Sequence, residues 1–147
     1  MKLIWLNENI AALRVASPLV WQDELQPHGL SALLQLQSLP QPLPAEIIHL
    51  QLALPGALVP DDGLLAALTR QLPLASGFIS DQLQQGHKLL MTAADGGLLG
   101  VMMAQWLVCE GTAPVHAVAQ VRTLYDDAFS VDGWDQFIFD VLYRLQA

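Results

Sequence analysis

The feature that most restricts the fold is an uninterrupted strand, glycine turn and helix between residues 87 and 110. Residues 87–91 form a short apolar run, Asp95-Gly96-Gly97 form the turn, and apolar residues continue from Leu98 to about Glu110. Such a turn directs backbone N–H groups and the positive end of a helix toward one point, which is the arrangement of an anion site. Many α/β crossovers share it, so alone it predicts a fold class rather than a function.

The rest of the chain continues the alternation of strands and helices. Short apolar runs at residues 2–6, 10–15, 31–37 and 47–54 predict four more strands. Further helices are predicted to begin at Pro18, at Asp61 or Asp62, at Thr112 with Pro114, and at Ser130 or Asp132. Pro73 predicts a kink or a split in the second of these helices. We therefore expect a single α/β domain over residues 1–147 with three layers, a central, mostly parallel sheet with helices on both faces.

The composition favours a soluble domain with a large core. The chain has 147 residues, of which 53% are hydrophobic and only 14% are charged, so some apolar surface and self-association are expected. Its net charge is −8 and its six basic residues form no cluster. Nucleic acid and an anionic membrane surface both require clustered Lys and Arg, so neither is expected as a partner.

The cysteine and histidine content and the hydropathy of the chain argue against disulfides, metal sites and membrane spans. Cys109 is the only cysteine, so an internal disulfide and a thiolate zinc cluster are excluded, and we expect a buried core thiol. The four histidines have no metal-ligand spacing, and no metal or cofactor is expected. The N-terminus lacks the apolar region of a signal peptide, and the best apolar run, residues 96–109, is shorter than the roughly 20 residues of a spanning helix. The expected location is cytoplasmic.

Residues 87–100 resemble the loop of the dual-specificity phosphatases, within the protein tyrosine phosphatase superfamily. Those enzymes carry His-Cys-x-x-Gly-x-x-Arg-Ser/Thr after such a strand. On this sequence Thr92 falls at the histidine, Ala93 at the cysteine, Gly96 at the glycine, Leu99 at the arginine and Gly100 at the Ser/Thr position. Residues 12–17, 25–36, 48–52, 117–122 and 134–142 are similar to the flanking elements in length and apolar spacing. The resemblance implies a phosphotyrosine protein phosphatase-like fold.

The same resemblance implies that the chemistry is missing. Cysteine phosphatases need a thiolate nucleophile, an arginine that grips the phosphate and a general acid. Here Ala93 and Leu99 stand at the first two places, and Ala53-Leu54-Pro55-Gly56 follow the strand before the acid loop. Asp95 adds a carboxylate to the loop. Its repulsion of an anion bound about 4 Å away would cost about 4 kcal/mol per unit charge at an effective dielectric of 20. Phosphate binding is therefore not expected.

These observations predict a degenerate phosphatase, or pseudophosphatase, that acts by binding a protein partner or by forming a homo-oligomer. An alternative stays open, an enzyme or small-ligand binder that uses the loop pocket for non-phosphatase chemistry. That pocket would be lined by Ala93, Ala94, Asp95, Gly96, Gly97, Leu98 and Leu99. A third interpretation is an unrelated three-layer α/β domain. Strand order distinguishes it, because the resemblance implies that the loop strand is central.

Overall fold

The computed structural model describes residues 3–14, 25, 27–37, 48–54, 60–126, 128–129 and 133–146. In chain order these residues form β1 Ile4–Trp5, β2 Ile10–Arg14, β3 Leu30–Gln35, β4 Ile48–Gln51, α1 Asp62–Gln84, β5 Lys88–Ala93, α2 Gly96–Cys109, α3 Pro114–Leu124 and α4 Trp134–Gln146. Most of the predicted helix from Pro18, and the predicted cap at Ser130 or Asp132, lie outside the described residues.

The five strands form one sheet in the order β1-β2-β5-β3-β4. The loop strand β5 is central and pairs in parallel with both β2 and β3, while β3 pairs in parallel with β4. Only the short edge strand β1 is antiparallel to its neighbour β2. The mostly parallel sheet and the central position of β5 are as predicted. Strand order therefore favours the phosphatase-like fold over an unrelated three-layer α/β domain.

The three inner strands β2, β3 and β5 are largely buried on both faces, whereas the edge strand β4 is mostly exposed. Successive side chains along a strand point to opposite sides, so each inner strand contributes to two cores. Leu34 and Met91 belong to the larger core cluster, to which all four helices α1–α4 contribute. Leu33 and Leu90 belong to a smaller cluster on the other face, where Leu25 is also buried. The four described helices thus cover one face. None of them is long and apolar enough to cross a membrane.

Helix α1 begins and ends as its sequence predicts. Asp61 is the N-cap, and its Oδ1 accepts a hydrogen bond from the Leu64 N–H at 2.8 Å. After the helix ends at Gln84, Gly86 has a φ of 84°, in the left-handed region that favours glycine. The predicted split at Pro73 is wrong, since α1 is continuous through it, and the predicted kink stays a prediction. Pro73 lies on the exposed side, where water can bond the carbonyl left without an N–H partner.

Helix α2 is buried on every side over most of its length. Met102, Met103 and Trp106 are core residues, as predicted. The prediction that Cys109 is a buried thiol is wrong, because this last residue of α2 is exposed. Its Sγ accepts a hydrogen bond from Gln105 Nε2 at 3.4 Å and lies 3.7 Å from Ser76 Oγ on α1. The helix leaves the core in its final turn, which the uniform hydropathy of its sequence did not indicate.

Candidate functional site

The candidate site is the turn between β5 and α2 at the carboxyl edge of the sheet. β5 ends at Ala93, Ala94 and Asp95 make the turn, and α2 begins at Gly96. The neighbouring strands end beside it, since Arg14 of β2 is the register partner of Ala93 and Gln37 follows β3 closely. In open parallel sheets this edge is where ligands bind.

The first two backbone donors of the turn bind a side chain of the same chain. The N–H groups of Ala94 and Asp95 both donate to Gln37 Oε1, at 2.9 and 3.1 Å. Two successive N–H groups that converge on one oxygen form the kind of concavity that binds an anion. In this protein a neutral amide oxygen takes that position.

The side chain of Asp95 accepts a hydrogen bond from a third backbone N–H group. It is the N-cap of α2, and its Oδ1 accepts a hydrogen bond from the Gly97 N–H at 2.8 Å. The carboxylate therefore lies at the positive end of the helix, where a negative charge is stabilised. An incoming anion would have to displace Asp95 and Gln37 from these donors.

The first turns of α2 are closely covered by neighbouring aromatic residues. A Cβ atom built on Gly97 would lie 2.5 Å from two ring carbons of Trp134, which is itself buried. A Cβ built on Gly100 would lie 2.8 Å from Ala128 Cβ and 2.9 Å from Phe129 Cε1. Glycine is thus required at both positions for steric reasons, and the helix start packs tightly against the rest of the core.

The residues at the matched positions face the interior. Thr92, Ala93 and Leu99 are fully buried, and Ala93 and Leu99 belong to the larger core cluster. Of the predicted pocket residues, Ala94 is exposed and Asp95 is half-buried, while the other five are buried: Ala93, Gly96, Gly97, Leu98 and Leu99. The loop therefore presents backbone and Asp95 at its surface, and the leucines fill the space behind it. A ligand pocket here stays a prediction.

The segment that follows β4 presents no acid to the loop over its described part. Leu52 and Leu54 are buried, and their N–H groups donate to Gln35 O at 2.7 Å and Leu36 O at 3.2 Å. Pro55 and Gly56 lie outside the described residues. Asp61, farther along, caps α1 as described above. No group of three or more metal-ligating side chains occurs among the described residues.

Two residues of the site were not singled out from the sequence. Gln37 binds the turn as described, and Arg14 Nε donates to the Ala94 carbonyl at 3.2 Å, with the guanidinium exposed. Both lie at the carboxyl ends of the strands that flank β5. Strand order would have indicated them, because in a parallel sheet such ends meet at the same edge.

No protein-family profile matches the sequence, and no curated protein resembles it closely enough to be a relative by sequence. Solved structures resemble it over nearly its whole length. Tk-PTP in its active form superposes with a TM-score of 0.75 at 18% identity, covering 97% of both chains. Human DUSP28 superposes with a TM-score of 0.76 at 16% identity, covering 99% of this chain and 95% of that one.

A third similar structure is the human tyrosine phosphatase-like serine/threonine/tyrosine-interacting protein. Its TM-score is 0.73 at 16% identity, and 99% of this chain and 98% of that chain are covered. Identities this low show the fold and nothing about activity. Together with the central β5 and the turn that follows it, these superpositions establish that the chain has the fold of the dual-specificity protein tyrosine phosphatases.

Proposed function

We propose that this chain is a catalytically inactive phosphatase-fold protein that acts by binding a protein partner or a second copy of itself. The observation that carries the proposal is the occupation of the turn by the chain's own side chains. Gln37 Oε1 accepts from the N–H groups of Ala94 and Asp95, and Asp95 Oδ1 accepts from that of Gly97. Donors that would hold a phosphate ester are already used in the folded protein.

The side chains behind the turn support the same proposal. A phosphatase of this type forms a covalent bond to phosphorus through a thiolate, and Ala93 has no nucleophilic atom. Leu99 packs into the core and brings no positive charge to the turn. The sole cysteine, Cys109, is at the opposite end of α2, about 20 Å from its start at 1.5 Å per residue. It cannot substitute for the missing nucleophile.

A binding role is also consistent with the surface. Several large apolar side chains on the described surface are exposed by more than half: Leu74, Val115 and Tyr143. Apolar groups that remain in water can be buried against a partner, which is favourable by about 25 cal/mol per Å². One of the similar structures is, by its name, a phosphatase-like interacting protein. That name gives a precedent for the fold in a binding role.

The alternative of a small-ligand site in the loop receives less support. Ala93, Leu98 and Leu99 are buried in the core, and Trp134 covers Gly97. A ligand would meet mainly Ala94, Asp95, Gln37 and the Arg14 guanidinium at the surface. We therefore favour protein binding.

Calorimetric titration of tungstate, an oxyanion that mimics phosphate, tests whether the backbone donors of the turn are closed to anions. We expect no binding to the wild type and measurable binding to Gln37→Ala/Asp95→Ala, because that variant frees three backbone donors and removes a negative charge. Gln84→Ala, which removes an exposed glutamine of α1, is the matched control and should behave as wild type. Tungstate binding to the wild type would contradict the proposal.

An activity measurement completes the test. We expect no hydrolysis of para-nitrophenyl phosphate at any pH by wild type or by either variant, since none has a nucleophile in the turn. Hydrolysis that persists through repeated purification would overturn the proposal. Sedimentation velocity over a wide concentration range then separates the two binding modes, because only self-association raises the mass as concentration increases.

A further inference from the structure

Two buried polar side chains lie side by side beneath the turn, and the function proposed above uses neither. Gln35 of β3 is 2% exposed and Thr92 of β5 is 0% exposed. They are register partners across the parallel pair of strands. Neighbouring strands are about 4.8 Å apart, so the two side chains begin within reach of one common atom.

The described neighbours of the pair along its own two strands are apolar. Along β3, Leu34 and Leu36 belong to the larger core cluster, so Gln35 points to the opposite face, which Leu33 also occupies. Along β5, Met91 and Ala93 face the larger cluster, so Thr92 shares the face of Leu90. The described neighbours of the pair on this face, Leu33 and Leu90, therefore offer it no side-chain hydrogen bond.

Both side chains carry an atom without a partner. Gln35 Nε2 and Thr92 Oγ1 have no hydrogen-bond partner among the described residues, and neither atom is reached by bulk solvent. The two atoms do not bond each other, although they are on adjacent side chains. A buried donor or hydroxyl that stays unpaired is strongly unfavourable, and native proteins rarely contain one.

We propose that Gln35 and Thr92 form the binding site of one ordered water molecule that bridges Gln35 Nε2 and Thr92 Oγ1. Water fits the chemistry because it accepts a bond from the amide N–H while it donates to, or accepts from, the hydroxyl. Buried waters commonly satisfy polar groups that protein atoms leave unpaired. A larger ligand is disfavoured by the neighbouring Leu33 and Leu90, which are fully buried.

The position gives the water a structural role that does not depend on the proposed binding function. Leu36 N–H donates to the Thr92 carbonyl at 2.9 Å, and Gln37 grips the turn through Ala94 and Asp95. A water between Gln35 and Thr92 ties β3 to β5 one step below those contacts. It helps set the spacing at which Gln37 meets the turn.

Thermal unfolding of Thr92→Val tests the proposal through the sign of its effect. Valine conserves the shape of threonine but removes the hydroxyl. If the hydroxyl binds a bridging water, the melting temperature falls by roughly 2–4 °C; if the hydroxyl is truly unpaired, its removal raises the melting temperature. A rise would overturn the proposal.

Two further measurements separate a water from a direct bond. Gln35→Met added to Thr92→Val removes both Gln35 Nε2 and Thr92 Oγ1, and it should recover part of the lost melting temperature because neither atom is then left unpaired. A high-resolution crystal structure of the wild type should show a water peak about 2.7–3.2 Å from both Gln35 Nε2 and Thr92 Oγ1. A direct amide–hydroxyl bond there, with no water, would refute the bridging site even if Thr92→Val lowers the melting temperature.

Discussion

The indole ring of Trp134 lies against the α-carbon of Gly97, so a Cβ atom at position 97 would lie 2.5 Å from two of its ring carbons. We therefore expect Gly97→Ala to lower the free energy of unfolding by about 1–3 kcal/mol, through overpacking. Gly77 of α1 is the matched control, since it is exposed and a Cβ there meets no atom within 4 Å. Gly77→Ala should raise stability by about 0.5–1 kcal/mol. Urea denaturation measures both, and equal effects would contradict the packing.

Introducing an arginine at position 99 should damage the fold rather than create a phosphate site. Leu99 is 0% exposed and Leu74 is 62% exposed, so the two leucines differ in burial and not in chemistry. Leu99→Arg buries an unpaired charge and should cost more than about 3 kcal/mol of unfolding free energy. Leu74→Arg should change it by less than about 0.5 kcal/mol. Chemical denaturation of both variants gives the comparison, and a stable Leu99→Arg would show that the loop can rearrange.

The hydrogen bonds of Gln37 predict a local change in amide exchange. In Gln37→Ala the N–H groups of Ala94 and Asp95 lose their acceptor, so their hydrogen exchange should become faster while the amides of β5 stay protected. Exchange measured by NMR on the folded protein resolves these sites. Gln84→Ala should leave them unchanged. Unaltered exchange at Ala94 and Asp95 in Gln37→Ala would mean that another group holds the turn.

The stability that Asp95 gives α2 through its hydrogen bond can be measured apart from the contribution of its charge. Asp95→Asn keeps a side-chain oxygen that can accept from the Gly97 N–H, so it should preserve most of the stability. Asp95→Ala removes the acceptor and should cost about 0.5–2 kcal/mol. Thermal or urea unfolding of the pair measures the difference. If both variants lose the same stability, the contribution of Asp95 is its charge at the helix end rather than the hydrogen bond.

The exposure of Cys109 predicts that the native protein contains one accessible thiol. An aromatic disulfide reagent such as DTNB should titrate it without denaturant, and Cys109→Ser should release no chromophore. The thiol should react almost as fast in the folded protein as in the denatured protein, because Cys109 is already exposed. A thiol that reacts only after denaturation would restore the prediction of a buried cysteine.

Much of the fold follows from local patterns in the sequence. The apolar runs predicted the strands, the turn Asp95-Gly96-Gly97 placed the start of α2, and Asp61 marked the start of α1, since each depends on short-range periodicity or on capping. The central position of β5 came from the family resemblance. The split predicted at Pro73 was wrong, because an exposed proline can remain within a helix when water satisfies the free carbonyl.

The occupied state of the turn could not be predicted in the same way. Gln37 and Ala94 are separated by 57 residues, and their hydrogen bond depends on the pairing of β3 with β5. Nothing in the residues around Gln37 indicates that its amide meets the turn. The exposure of Cys109 likewise depends on where α2 leaves the packed helices, which a uniformly apolar sequence does not reveal.

The packing around Gly100 determines which side chains this position can accept. The dual-specificity phosphatases carry a hydroxyl residue at the matching position, and here a Cβ would lie 2.8 Å from Ala128 Cβ and 2.9 Å from a Phe129 ring atom. Gly100→Ser therefore requires Ala128 and Phe129 to shift as well. With Leu99 in the core and Gln37 on the turn, rebuilding the phosphatase loop sequence in this chain requires several changes together. Single substitutions toward the phosphatase loop sequence are therefore expected to destabilise the domain rather than to change what the turn binds.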